Sequence, residues 1–145
     1  KRGPNKLERA KLAEIERCRV EGIERIGTLS EREFLMAGLG LYAGDGAKAG
    51  RDVKFANSNP DLIRLFCCWL RAFFAPDESR LRSSVTGIPV GQFIRPYRAP
   101  ADPTRRTAKH IYGCCHVTYS SAPPHRAIMG MLSALALVQY ESDPG

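Results

Sequence analysis

The sequence predicts an α+β fold, and three observations carry that prediction. Apolar residues at helical spacing open and close the chain, short stretches near 52–57 and 114–120 alternate as strands do, and no internal repeat is visible. A chain of 145 residues with 43% apolar content is large enough for one folded domain and too apolar for wholesale disorder.

The first helix is expected over 5–26. Asn5 and Glu8 form a capping-box start, and Leu12, Ile15, Arg19 (by its stem), Ile23 and Ile26 follow helical spacing, so a solvated helix packed along one face is expected. Gly27 stops it. Ser30-Glu31-Arg32-Glu33 is a second capping box, opening a helix that runs through Phe34 to Gly46 with Gly46 available for a left-handed cap. Val53 and Phe55 share one face of the strand that follows. Asn59 caps and Pro60 begins the next helix, with Leu62, Leu65, Phe66, Trp69, Leu70 and Phe73 at core spacing and a stop before Pro76. Leu81 to Val85 reads as a strand fragment, Thr86-Gly87-Ile88-Pro89 as a turn, and Pro96, Pro100 and Pro103 as marks of a basic loop. A strand over 114–120 places Cys115, Val117 and Tyr119 opposite His116 and Thr118. A last helix, about 125–140, presents Ile128, Met131, Leu132, Leu135 and Val138. The chain therefore divides into an N-terminal helix or linker, 1–28, and a domain, 29–145.

No membrane segment is expected, because the longest apolar run, Phe34 to Ala43, is half the ~20 residues needed to cross a bilayer. The opening Lys1-Arg2-Gly3-Pro4 has no apolar signal region, and the absence of an initiator Met raises the expectation of an upstream module. Cysteines at 18, 67, 68, 114 and 115 are odd in number and partly adjacent, which suits reduced thiols in a cytoplasmic protein better than disulfides. His110, Cys114, Cys115, His116 and His125 are zinc-ligand types, but no C-x-x-C pair exists and Cys114 and Cys115 point to opposite faces of a strand.

The net charge of +7 is concentrated. Residues 80–132 hold eight basic groups against one acid, Asp102, and seven of the eight are Arg. Arg80, Arg82, Arg95, Arg98, Arg105, Arg106, Lys109 and Arg126 are the footprint expected for a polyanion, since Arg favours bidentate phosphate and base contacts.

The helix ending at Asp45 carries the chemistry. Three internal glycines cost about 1 kcal/mol each relative to alanine, which a helix tolerates where something must approach closely. Ala37, Gly40 and Gly44 form one stripe of small residues, suited to a second helix packing backbone to backbone. An Asp at a helix C-terminus opposes the macrodipole, so stability does not explain Asp45. Two such helices about a dyad would bring two Asp45 carboxylates together, an arrangement relieved by Mg²⁺ and suited to phosphodiester hydrolysis.

Gly38-Leu39-Gly40-Leu41-Tyr42-Ala43-Gly44-Asp45-Gly46 resembles the LAGLIDADG motif of the homing endonucleases, in register at Gly40, Asp45 and Gly46. Residues 53–60, Trp69-Leu70-Arg71, Thr86-Gly87-Ile88-Pro89 and Lys109-His110 are similar to a bacterial LAGLIDADG-like subgroup, and the resemblance spans most of 30–135. It implies an antiparallel β saddle in the DNA major groove with helices on one face, making 29–145 a DNA-binding domain. One motif per chain implies a homodimer on a near-palindromic site, joined through Ala37, Gly40, Leu41 and Gly44. It further implies Asp45 and Gly46 as the metal-binding positions, Asp45 as catalytic acid, Lys109 as the basic catalytic residue with Lys54 behind it, and Lys54 with the Arg-rich block on double-stranded DNA. The family pattern has a strand and a short helix where this chain runs from Arg82 into Ser83-Ser84-Val85-Thr86. The expectation is a Mg²⁺-dependent, site-specific endonuclease of the cytoplasm and its nucleoid. The alternative is a cleavage-inactive DNA-binding transcriptional regulator on the same fold.

Overall fold

Asn5 starts the first helix as its side chain dictates: Oδ1 accepts from the Glu8 amide at 2.9 Å and the Glu8 carboxylate accepts from the Asn5 amide at 2.8 Å. The computed structural model describes residues 3, 5–83 and 115–139. The chain falls into two compact units, Lys1–Glu33 and Phe34–Gly145.

In the first unit, α1 spans Lys6–Ile26 and ends at Gly27, whose φ of 55° lies in the left-handed region. None of its residues is buried, and Leu12, Ile15, Ile23 and Ile26 are all more than half exposed. The apolar face expected for this helix is therefore exposed within its own unit. Its Glu16–Arg19 ion pair is short, 2.6 Å, but lies in solvent and adds little to stability. The Ser30–Glu33 capping box is present in both directions, at 3.3 and 2.7 Å, and opens α2 (Glu31–Asp45).

In the second unit, α2 is followed by β1 (Val53–Asn57), α3 (Pro60–Phe74), a 3-10 turn (Glu78–Arg80), β2 (Leu81–Ser83), β3 (Cys115–Tyr119) and α4 (Ala122–Leu135). The three strands form one antiparallel sheet in the order β1-β3-β2. Side chains alternate across it as period-two geometry requires. Val53, Phe55, Val117, Tyr119 and Leu81 are buried on the inner face, and α3 and α4 pack against these strands. Lys54, Arg82 and His116 are exposed on the outer face.

The core is aromatic. Phe66 stacks on Phe55 with centroids 4.3 Å apart and on Trp69 at 5.7 Å, and each ring is buried. Burying such a side chain stabilises by about 1.5–3 kcal/mol. The Trp69 indole donates to the Leu35 carbonyl at 3.2 Å, so its one polar atom is satisfied. Arg71 grips Glu78 with two contacts, 2.6 and 3.1 Å, tying the 3-10 turn to α3. The Tyr119 hydroxyl accepts from the Asp77 amide at 3.2 Å, tying that turn to β3.

Several expectations are corrected. Leu65 on α3 is 37% exposed, while Ile63 and Cys67 are buried, because the helix docks one residue around from the expected face. The last helix starts at Ala122, three residues early, with proline in its first turn, and stops at Leu135. Val138 lies beyond it, 64% exposed, and is not core. Gly46 keeps a φ outside the left-handed region, so it is no left-handed cap. A Cβ there would meet the Tyr42 ring at 2.4 Å, and that close approach is what requires glycine. The strand fragment from Leu81 is found as β2; its expected extension to Val85, the turn 86–89 and the prolines at 96, 100 and 103 lie outside the described residues.

Candidate nucleic-acid interface

Asp45 is the last residue of α2 and is exposed. The chain leaves the helix there and joins β1 at once: Gly46 bridges Phe55, and the Ala47 amide donates to the Lys54 carbonyl at 2.9 Å. The Asp45 carboxylate is consequently held beside β1, where Asn57 Nδ2 donates to its Oδ2 at 2.7 Å.

Three side chains from separate places brace this junction. The Tyr42 hydroxyl donates to the Ala47 carbonyl at 2.7 Å, and His125 Nε2, from α4, lies 3.2 Å from the same oxygen. A carbonyl only accepts, so the imidazole carries its proton on Nε2. Burial raises the Tyr42 phenol above its ordinary pKa, partly offset by a backbone hydrogen bond to Lys54. Lys48 folds back so that its ammonium donates to the Tyr42 carbonyl at 3.1 Å and to the Gly46 carbonyl at 2.6 Å. A cation at a helix C-terminus offsets the macrodipole, compensating in part for an acid there. Gly46, expected with Asp45 as a metal-binding position, thus has its carbonyl engaged by an ammonium.

The three helix glycines separate into two kinds. Gly38 faces inward, where a Cβ would fall 2.2 Å from the Trp69 indole. Gly40 and Gly44 face open space and are exposed, with Ala37 and Leu41 partly buried beside them. Leu39 and Tyr42 are buried on the other side of the helix. Among the described residues nothing covers the side of α2 that carries Gly40 and Gly44.

On the sheet, the register places Lys54 of β1 and Arg82 of β2 on either side of Thr118 of β3. All three belong to the outward-facing set, and both cations are exposed. Two strand spacings put the cations ~10 Å apart, comparable with the ~12 Å width of a major groove. His116 is exposed on the same face, two residues from Thr118. Arg80 is exposed in the 3-10 turn that leads into β2. Arg95, Arg98, Arg105, Arg106 and Lys109 lie outside the described residues, as do the sequence following Ser83 and the candidate ligands His110 and Cys114.

The remaining zinc-type residues do not converge: Cys115 and His116 take opposite faces of β3, and His125 is committed to Ala47. Among the described residues no group of three potential ligands forms. At the junction of α2 and β1, Asp45 offers an exposed carboxylate. That donor suits Mg²⁺, which keeps most of its water and uses one or two carboxylates together with substrate phosphate. Burial pushes the Cys67 thiol up to about 12, which makes it inert.

Sequence reasoning missed Asn57, Lys48, Thr118 and His125 as members of this region. Asn57 was legible only as the end of the strand stretch near 52–57, Lys48 acts through local contacts to the Tyr42 and Gly46 carbonyls, and the places of Thr118 and His125 depend on contacts between distant segments. No described helix is long and apolar enough to cross a membrane. Comparison with protein-family models, curated proteins and solved structures finds no match to this chain.

Proposed function

We propose that this chain is a LAGLIDADG-type protein that binds double-stranded DNA as a homodimer and cleaves it with Mg²⁺ at Asp45. The observation that carries the reading is the outward row Lys54–Thr118–Arg82 on the sheet, two cations spaced for a duplex groove. The uncovered stripe of α2 supports the dimer, because Gly40 and Gly44 leave room for a second backbone and the same helix ends on Asp45. The strands fit the family's antiparallel saddle, with helices on the inner face and the outer face left for DNA.

In this reading Lys54, Arg82 and Arg80 hold phosphates, together with Arg95, Arg98, Arg105, Arg106 and Lys109. Asp45 binds the cation, and Mg²⁺ held there supplies activated water and charge stabilisation on the leaving oxygen. A DNA partner places the protein on the nucleoid, in the cytoplasm. The test is enrichment of random duplexes on the protein in Ca²⁺, followed by exchange into Mg²⁺. A selected palindromic site that is then cut supports the enzyme. A failure to select any duplex would refute the whole reading.

One observation favours a second reading, a DNA-binding transcriptional regulator that does not cut. The Gly46 carbonyl beside Asp45 is occupied by the Lys48 ammonium, and a fixed cation there opposes a divalent one. Selection of a site with no cleavage in Mg²⁺ would establish it.

A further inference from the structure

We infer that Asn57 is a positioning residue for the Asp45 carboxylate, fixing one oxygen so that the other is presented to a divalent cation. The inference rests on the proposed metal-binding role of Asp45 and deepens it.

The amide of Asn57 is committed at both ends. Its Oδ1 accepts from the Asn59 backbone amide at 2.7 Å, and a backbone N–H can only donate. The side chain therefore cannot be flipped, and Nδ2 must face Asp45, where it donates to Oδ2 at 2.7 Å. Asn59 is itself held in place, because its side chain caps α3 by accepting from Asp61 at 2.9 Å. The chain of contacts runs from the α3 cap through Asn59 and Asn57 to Asp45, so a rigid helix end sets the orientation of an exposed carboxylate. The Gly46–Phe55 bridge holds the same junction from the backbone side. The one oxygen of Asn57 is turned to the Asn59 amide and its Nδ2, a donor only, faces Asp45, so its role is to orient Asp45 rather than to ligate. Hydrogen-bonded partners of metal-binding carboxylates typically change metal affinity ~10–100-fold when removed.

The test is a Mn²⁺ titration of the full chain, with free Mn²⁺ read by electron paramagnetic resonance, on the parent protein, Asp45→Asn, Asn57→Ala and Asn57→Asp. Asn57→Ala should weaken Asp45-dependent binding ~10–100-fold. Asn57→Asp keeps an acceptor for the Asn59 amide, and so keeps the turn, but turns a second carboxylate toward Asp45. It should therefore tighten Mn²⁺ binding, since two adjacent carboxylates are relieved by a cation. A residue that served the turn alone would leave Asn57→Asp unchanged, so opposite shifts in the two variants are the expected signature. Asp45-dependent binding that ignores both substitutions, or responds to Asn57→Ala alone, overturns the role of Asn57 and leaves Asp45 as the metal acid. Binding that is absent, or indifferent to Asp45→Asn, overturns both.

Discussion

Gly38 lies against the indole of Trp69, so close that a Cβ on Gly38 would sit 2.2 Å from the ring. The indole is buried and donates to the Leu35 carbonyl one turn earlier in the same helix, so it cannot move aside cheaply. Gly38→Ala should therefore destabilise the protein by about 1–3 kcal/mol, the usual cost of overpacking, despite the better helix propensity of alanine. Urea unfolding reads this directly. An unchanged midpoint would mean that Trp69 has room the packing denies it.

Gly40 makes the contrasting case. Nothing lies within 4 Å of a Cβ placed there, so inside one chain Gly40→Ala relieves a helix glycine and gains about 0.5–1 kcal/mol. In a dimer packed through this stripe, Gly40→Glu brings like charges and bulk into the seam and should yield monomers by sedimentation. A Gly40→Glu protein that still sediments as a dimer would remove α2 as the interface.

How much of this was legible follows from the range over which each contact acts. The two capping boxes, the stop at Gly27 and the alternation of Val53 with Phe55 and of Val117 with Tyr119 are local, and each is found where the sequence puts it. The buried face of α3 was displaced because apolar side chains flank it on both sides. Packing against the sheet chose Ile63 and Cys67 over Leu65, a choice that spacing alone leaves open. The bracing of Ala47 by His125 joins residues 78 positions apart, and no local pattern announces it. Gly38 and Gly40 look alike in the sequence; only the placement of Trp69 tells them apart.

Cys67 provides a pH dependence with a definite sign. Its thiol is pushed up to about 12 by burial, against an ordinary 9.0, so the folded state holds the proton more tightly than the unfolded one. The stability this represents is complete below the unfolded pKa and is lost as pH rises through the window from 9.0 to about 12. Tyr42, also raised by burial, acts in the same direction at the alkaline end. Urea midpoints should fall across that window, and Cys67→Ala should flatten part of the fall. With Ellman's reagent at pH 8 the exposed Cys18 and Cys68 should react promptly and Cys67 only on unfolding. Prompt reaction at Cys67 in the native protein would contradict its burial.

Lys54 and Arg82 give the sharpest test of the sheet as a DNA surface, because neither side chain makes a hydrogen bond or ion pair among the described residues. Both are exposed, both face away from the core, and Thr118 stands between them. Removing either should leave the fold intact while changing how binding depends on salt. Each phosphate neutralised releases condensed counterions, so log K falls with log salt at a slope of about −0.9 per contact. Lys54→Ala and Arg82→Ala should each make the slope shallower by roughly one unit, and weaken binding about equally for unrelated duplexes if the contacts are to phosphate alone. A side chain that reads a base edge would instead relax the preference at one position and cost about 1–3 kcal/mol there. The double variant should add the two slope changes, since the side chains stand two strands apart and share no partner. Slopes identical to the parent in both single variants would place the DNA elsewhere. The Arg-rich sequence between 95 and 109 would then be the surface to mutate.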